Sequence, residues 1–140
     1  MKHQLIFFTL TIFSLASNPF NNLESSNKFN LAYQSALKGN IDAQFDVAMM
    51  YGTGINVKKN KREAFNWLHK SAFNGHVQAK YLMGVSFKQG TGVRVQKDLA
   101  RYWFRKAVKA GHQKAIFQLV ELERELQSKK IEPIYSSNEF

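Results

Sequence analysis

Two glycines one residue apart, Gly90 and Gly92, sit among Lys88, Arg94 and Lys97 in the stretch KQGTGVRVQKD. A glycine-rich turn beside cations can offer backbone N–H groups and positive charge to a phosphate. That chemistry needs a strand before the loop and a helix after it, with the first amides of the helix facing the ligand. Here helical sequence precedes the loop. An upstream copy, GTGINVKKNK, aligns Gly54 and Asn56 with Gly90 and Gly92. Asparagine is the common substitute for glycine where φ is positive. The motif therefore reads as a helix–helix turn, with Val93, and Val57 in its copy, plugging the loop into the core.

The remaining chemistry-bearing side chains are few. Of the four histidines, His3, His69, His76 and His112, the last two invite reading as a metal pair. They occupy the place that Asn40 holds one repeat earlier, just after a helix-ending glycine, where a polar side chain caps the next helix. No carboxylate or further histidine lies at a ligand spacing from them. Asp42 and Asp46 stand one helical turn apart, but later copies put Gln78 and Leu82 there, so a solvated face is expected. Serines are concentrated near the two ends, and no Ser–His–Asp set assembles. Cysteine is absent, which removes disulfides, thiolate metal sites and cysteine nucleophiles. No catalytic residue, metal site or cofactor is assigned.

A chain of 140 residues with 44% apolar and 14% aromatic content can bury one core without metal or disulfide help. Its two prolines, Pro19 and Pro133, flank a central region rich in helix formers. The net charge of +10 attracts acidic proteins, anionic lipid or nucleic acid without dictating a fold. The amino terminus, MKHQLIFFTLTIFSLAS, places Lys2 before an uncharged run from Leu5 to Ala16, with Ser14 and Ala16 at the positions of a cleavage site. Twelve residues are too few to span a bilayer. Residues 1–16 are therefore expected to be a cleavable export signal, leaving no stable membrane span. Residues 17–27 are expected to form a flexible spacer.

The chain repeats with a period of 36: residues 36–71 and 72–107 align without a gap. Shared positions include Ala36/Ala72, Gly39/Gly75, Ala43/Ala79, Gly54/Gly90, Val57/Val93, Ala64/Ala100 and Trp67/Trp103. A partial third copy over 108–127 keeps Gly111, His112, Ala115, Phe117 and Leu119. Such a period marks stacked supersecondary units. Each unit reads as two helices, the first near 41–51 and 77–88, the second near 61–73 and 97–109. The second helix carries Ala64, Trp67, Leu68, Ser71 and Ala72 on one face, and its copy carries Ala100, Trp103, Phe104, Ala107 and Val108. Gly75 and Gly111 stop it. A helix near 28–38 precedes the first unit. In the third copy Leu126 and Ser128 replace the turn glycines, so a helix from about 113 runs on through VELERELQSKK, charged enough to face water as a terminal cap does. The solenoid is placed at 28–128 and a loose tail at 129–140.

The residues Tyr51, Gly54, Asn56, Val57, Ala64, Trp67, Lys70, Ala72 and Gly75 form a pattern that resembles the Sel1-like repeat. Phe87, Gly90, Gly92, Val93, Ala100, Trp103, Lys106, Ala107 and Gly111 repeat it. The pattern departs from the family where the second helix is usually capped by Asp: Asn60 and Gln96 stand there, and Asn caps well while Gln caps poorly. The resemblance implies an all-α fold, an α/α superhelical solenoid of antiparallel helix pairs related to tetratricopeptide repeats. Two full repeats and flanking capping helices are expected. It also implies a scaffold or adaptor that binds another protein in a groove built from the first helices, and many bacterial members are exported. Relatives described as β-lactamases carry paired cysteines, which this chain lacks.

The groove candidates are first-helix positions that vary between copies: Gln44, Asp46, Met49 and Met50, then Lys80, Leu82, Val85 and Ser86, then Ile116, Gln118 and Glu121. Apolar Met49, Met50, Leu82 and Val85 on an outward face point to contact with a partner; packing against the adjacent helix is the competing account. The cations Lys58, Lys59, Lys61, Arg62, Arg94, Lys97, Arg101, Arg105 and Lys106 cluster at the turns and along the second helices. Nucleic-acid binding would want exposed aromatics among them, whereas Trp67 and Trp103 are spent on the core. A solvated basic face or an acidic protein partner is expected. The function expected is an exported, non-catalytic protein-binding module, in one form an immunity or inhibitor protein for an exported toxin or enzyme. A cell-envelope hydrolase or cell-wall ligand-binding protein is the alternative.

Overall fold

A computed structural model describes residues 19–135. The expected export signal at 1–16 lies outside them, as do the first two spacer residues and the last five of the tail. Six helices and no strand occur among the described residues: α1 (Pro19–Leu37), α2 (Ile41–Thr53), α3 (Lys61–Phe73), α4 (Val77–Gln89), α5 (Lys97–Lys109) and α6 (Gln113–Tyr135). Each helix packs on its neighbours in sequence, so α3 underlies the seam between α2 and α4, and α5 underlies the seam between α4 and α6.

The turns follow the repeat. After α1, α3 and α5, the amides of Gly39, Gly75 and Gly111 bond to the carbonyls of Ala36, Ala72 and Val108. The next amides, of Asn40, His76 and His112, reach back to Ser35, Ser71 and Ala107. This doubled closure ends a helix and aims the chain into the next one. The longer loops close differently, with the Asn60 amide on the Tyr51 carbonyl at 2.8 Å and the Gln96 amide on the Phe87 carbonyl at 2.9 Å. Asn56 (φ 63°) and Gly92 (φ 76°) both adopt left-handed backbone at the matching point, as the substitution of one for the other implies. Val93 packs against the core and Val57 is half-buried.

The core runs along the seams. Ala43, Val47 and Ala48 of α2 meet Trp67, Leu68 and Ala72 of α3, and the second unit repeats this with Ala79, Met83, Trp103, Phe104 and Ala107. Both tryptophans are buried. Tyr33 of α1 meets Trp67 edge-on at 5.3 Å, and Phe29 meets Tyr51 at 5.3 Å. One exchange distinguishes the units. Ala48 and Leu68 in the first become Gly84 and Phe104 in the second, and a methyl on Gly84 would come within 2.5 Å of the Phe104 ring.

Two boundaries differ from expectation. Helix α1 begins at Pro19, within the segment read as a spacer. Proline suits the first helical position, where its fixed φ helps and its missing N–H is not needed. Helix α6 continues to Tyr135, through much of the segment read as a loose tail. Its charged stretch does not simply face water either. Leu122 is wholly buried, Leu126 packs on the core, and Glu121, Glu123 and Glu125 all find cations on α4 and α5.

Candidate partner-binding cleft

The repeat gives the molecule two equivalent seams, α2/α4 over α3 and α4/α6 over α5, and they are finished in opposite ways. In the first seam Gly52 leaves a space. The result is a cleft of about 200 Å3 with Met49 and Gly52 on one wall, Leu82 and Val85 on the other, and Ala64, Phe65 and Leu68 beneath. Lys61 and Gln89 stand at its edge. Met49 is 40% exposed, and the other wall side chains are half-buried.

In the second seam Lys88 takes the place of Gly52. Its Nζ donates to Gln118 Oε1 at 3.1 Å and Glu121 Oε2 at 2.8 Å, joining α4 to α6. Lys97, the counterpart of Lys61, pairs with Glu125, the counterpart of Gln89. That hydrogen bond raises the Lys97 pKa against the opposing effect of burial, and it lowers that of Glu125. Glu123 holds Arg105 at 2.7 Å and Arg101 at 3.6 Å. Lys97, Arg101 and Arg105 of α5 are thus paired with acids of α6. Among the described residues no carboxylate pairs with Lys58, Lys59, Lys61 or Arg62.

The structure gathers Met49, Leu82, Val85 and Ser86 at the first seam. Ser86 is buried there and Asp46, Met50, Lys80 and Ile116 lie outside the cleft lining. Gln118 and Glu121 are engaged by Lys88. Gln44 is not a groove residue: it is 5% exposed, its Nε2 donates to the Ala36 carbonyl and its Oε1 accepts from Asn74 Nδ2 at 2.9 Å. It ties the end of α1 to the end of α3, a duty that variation between copies conceals. Gly52, Lys61, Ala64, Phe65 and Gln89 line the cleft as well, outside the expected groove positions. Their signal is the contrast of position 52 with 88 and of 89 with 125.

His76 and His112 sit at the turns, while His69 lies within α3 against the Trp103 ring. His76 Nδ1 accepts the Ala79 amide at 3.1 Å, and its ring stacks on Phe45 with centroids 4.3 Å apart. His112 stacks on Tyr81 at the same distance. It departs from the expected cap, because its Nε2 meets Gln78 Oε1 at 2.7 Å and its buried Nδ1 has no partner. Asp42, at the place of Gln78, lies 3.7 Å from His76. Among the described residues no group of three or more histidines or carboxylates is placed to hold a metal ion. A wider hollow of about 660 Å3 lies beside α3, with Glu63, Asn66, His69 and Lys70 in its lining, and no hydrogen bond or ion pair joins Glu63 to His69. No helix among the described residues is long and apolar enough to cross a membrane.

The family model for the Sel1 repeat matches residues 41–76 and 77–112, together just over half of the chain. The chain belongs to the Sel1 repeat family. Each matched segment holds one helix pair, α2/α3 or α4/α5, and its closing turn. The fold agrees with solved Sel1 structures. A Sel1 repeat protein from Oxalobacter formigenes is 28% identical, with a TM-score of 0.65, over 67% of this chain and 39% of its own. A protective antigen present in uropathogenic Escherichia coli strains, displaying an SLR fold, is 28% identical with a TM-score of 0.64 over 71% of this chain. The chain aligns with only 24% of that second, longer protein. Among curated proteins no sequence match is found.

Proposed function

We propose that this Sel1 repeat chain is an exported, non-catalytic module that binds another protein through the face formed by α2 and α4. The apolar cleft between those helices carries the reading, since an exposed apolar hollow on a folded surface marks a contact site. The polar side chains that line the cleft, Lys61, Ser86, Gln89 and Thr91, include no carboxylate and no histidine. Export rests on the pattern from Leu5 to Ala16. The concrete role we favour is occlusion of an exported toxin or enzyme, as an immunity or inhibitor protein does.

Crosslinking mass spectrometry on the chain in its native cell envelope tests this. The expected result is a set of crosslinks from Lys58, Lys59, Lys61 and Lys80 to one partner protein. Recovery of no protein above background would sink the reading, and turnover of peptidoglycan fragments by the purified chain would replace it with the hydrolase.

A further inference from the structure

We infer that the α2/α4 cleft takes an acidic, apolar peptide segment of the partner, seating one apolar side chain between Met49 and Leu82 and placing a carboxylate on Lys61. The inference rests on the proposed binding function and adds the chemistry of what is bound.

The molecule itself supplies the template. In the α4/α6 seam Lys97 has its counter-ion in Glu125, and Lys88, standing where α2 has Gly52, brings an aliphatic stem whose ammonium is held by Gln118 and Glu121. The α2/α4 seam keeps the cation, Lys61, but Gln89 replaces the carboxylate and Gly52 removes the filling side chain. One seam is complete, and its twin lacks an acid and an apolar stem. A ligand that brings both would satisfy Lys61 and remove Met49, Leu82 and Val85 from water, gaining from charge and from burial together.

The size of the cleft selects a side chain over a small metabolite. About 200 Å3 falls below the roughly 300–1,000 Å3 of pockets that enclose drug-sized ligands. The excess positive charge of the chain, +10, favours approach of an acidic segment before contact. An amphiphile such as a fatty acid shares the acid-plus-apolar chemistry, but a long chain outruns a cleft of this volume.

Selection of a displayed random-peptide library on the full chain tests the inference, with three proteins compared. The double variant Gly52→Lys, Gln89→Glu installs in the first seam the counterparts of Lys88 and Glu125, while Leu82 and Val85 keep the places of Gln118 and Glu121. It should fold, because a methyl at Gly52 would meet only Ala64 Cβ at 3.7 Å and glycine inside a helix is replaced favourably. Lys61→Gln removes the cation alone. Peptides enriched on the wild-type chain are expected to share an apolar residue near Asp or Glu. They should bind the double variant at least tenfold more weakly, with its circular dichroism unchanged. On Lys61→Gln they should lose their preference over the same peptides carrying Asn or Gln. Equal binding to the double variant would place the contact elsewhere and overturn the cleft, leaving the binding function standing. Enrichment without an acid would overturn the carboxylate. Enrichment of nothing, with oleate bound by the wild type and lost in the double variant, would overturn the peptide in favour of an amphiphile. Failure of the envelope crosslinking experiment, by contrast, removes the binding function itself.

Discussion

Gly84 of α4 lies directly against the ring of Phe104 on α5, so close that an added methyl would stand 2.5 Å from two ring carbons. One repeat earlier the same two places hold Ala48 and Leu68. The pairs exchange volume across the seam: a smaller residue on the first helix accompanies a larger one on the second. Gly84→Ala is expected to destabilise the fold by about 1–3 kcal/mol through overpacking. Adding Phe104→Leu recreates the first unit's pair and should recover part of that loss. Chemical denaturation of the two single variants and the double gives the coupling directly. Additive effects would show that the two residues do not share a space.

Gly92 should tolerate no side chain. Its φ is 76°, and a methyl there would come 2.2 Å from the Lys61 carbonyl oxygen, a backbone atom that cannot swing aside. Gly92→Ala is expected to cost at least about 1–3 kcal/mol from backbone strain alone. Asn56→Gly, at the same place in the first unit, should change stability by well under that amount. Thermal melts of both variants distinguish the two expectations.

The caps of α3 and α5 predict opposite responses. Asn60 Oδ1 accepts the amides of Arg62 and Glu63, both at 3.1 Å, whereas Gln96 makes no side-chain cap bond. Asn60→Ala should destabilise by about 1 kcal/mol. Gln96→Asn should stabilise by a similar or smaller amount, read as a rise in Tm.

The Lys97–Glu125 pair gives the stability a pH dependence of fixed sign. Glu125 titrates below its ordinary value because of its hydrogen bond to Lys97. Its contribution is present above the ordinary carboxylate range and is lost as pH falls through the lowered value. Lys97 titrates above its ordinary value, so its contribution is present below the ordinary lysine range and fades as pH rises through the raised one. Glu125→Gln should therefore remove part of the acid-side slope of stability against pH and leave the slope produced by other carboxylates. An unchanged profile in urea titrations would show that the pair is solvated.

Much of this architecture is legible in the chain because repetition reads the same residue twice. Trp67 and Trp103, Gly54 and Gly90, Asn56 and Gly92 each check the other, and together they place four helices and their turns. What repetition leaves silent is what happens once. Gln44 varies between copies and so resembles a free surface residue, although its amide joins two helix ends. The acids of α6 look like solvent-facing charges because their cations lie 18 to 33 residues away in the chain. The cleft is encoded by an absence, the missing side chain of Gly52, and becomes visible only when the seam is set beside its filled twin.

Every substantial helix–helix contact joins elements adjacent in the sequence, and this governs how the molecule comes apart. With no strand or helix returning across the stack among the described residues, the order of assembly is free to start at the best-packed pair and spread outward. Low separation between contacting residues favours quick folding. The same arrangement lets α1 open without disturbing α4 or α5, so amide exchange in α1 should be governed by local fraying and that in α4 and α5 by global unfolding. Because α2 and α3 carry half the cleft and stand next to α1, a ligand held there would also act as a clasp on the amino-terminal half of the fold.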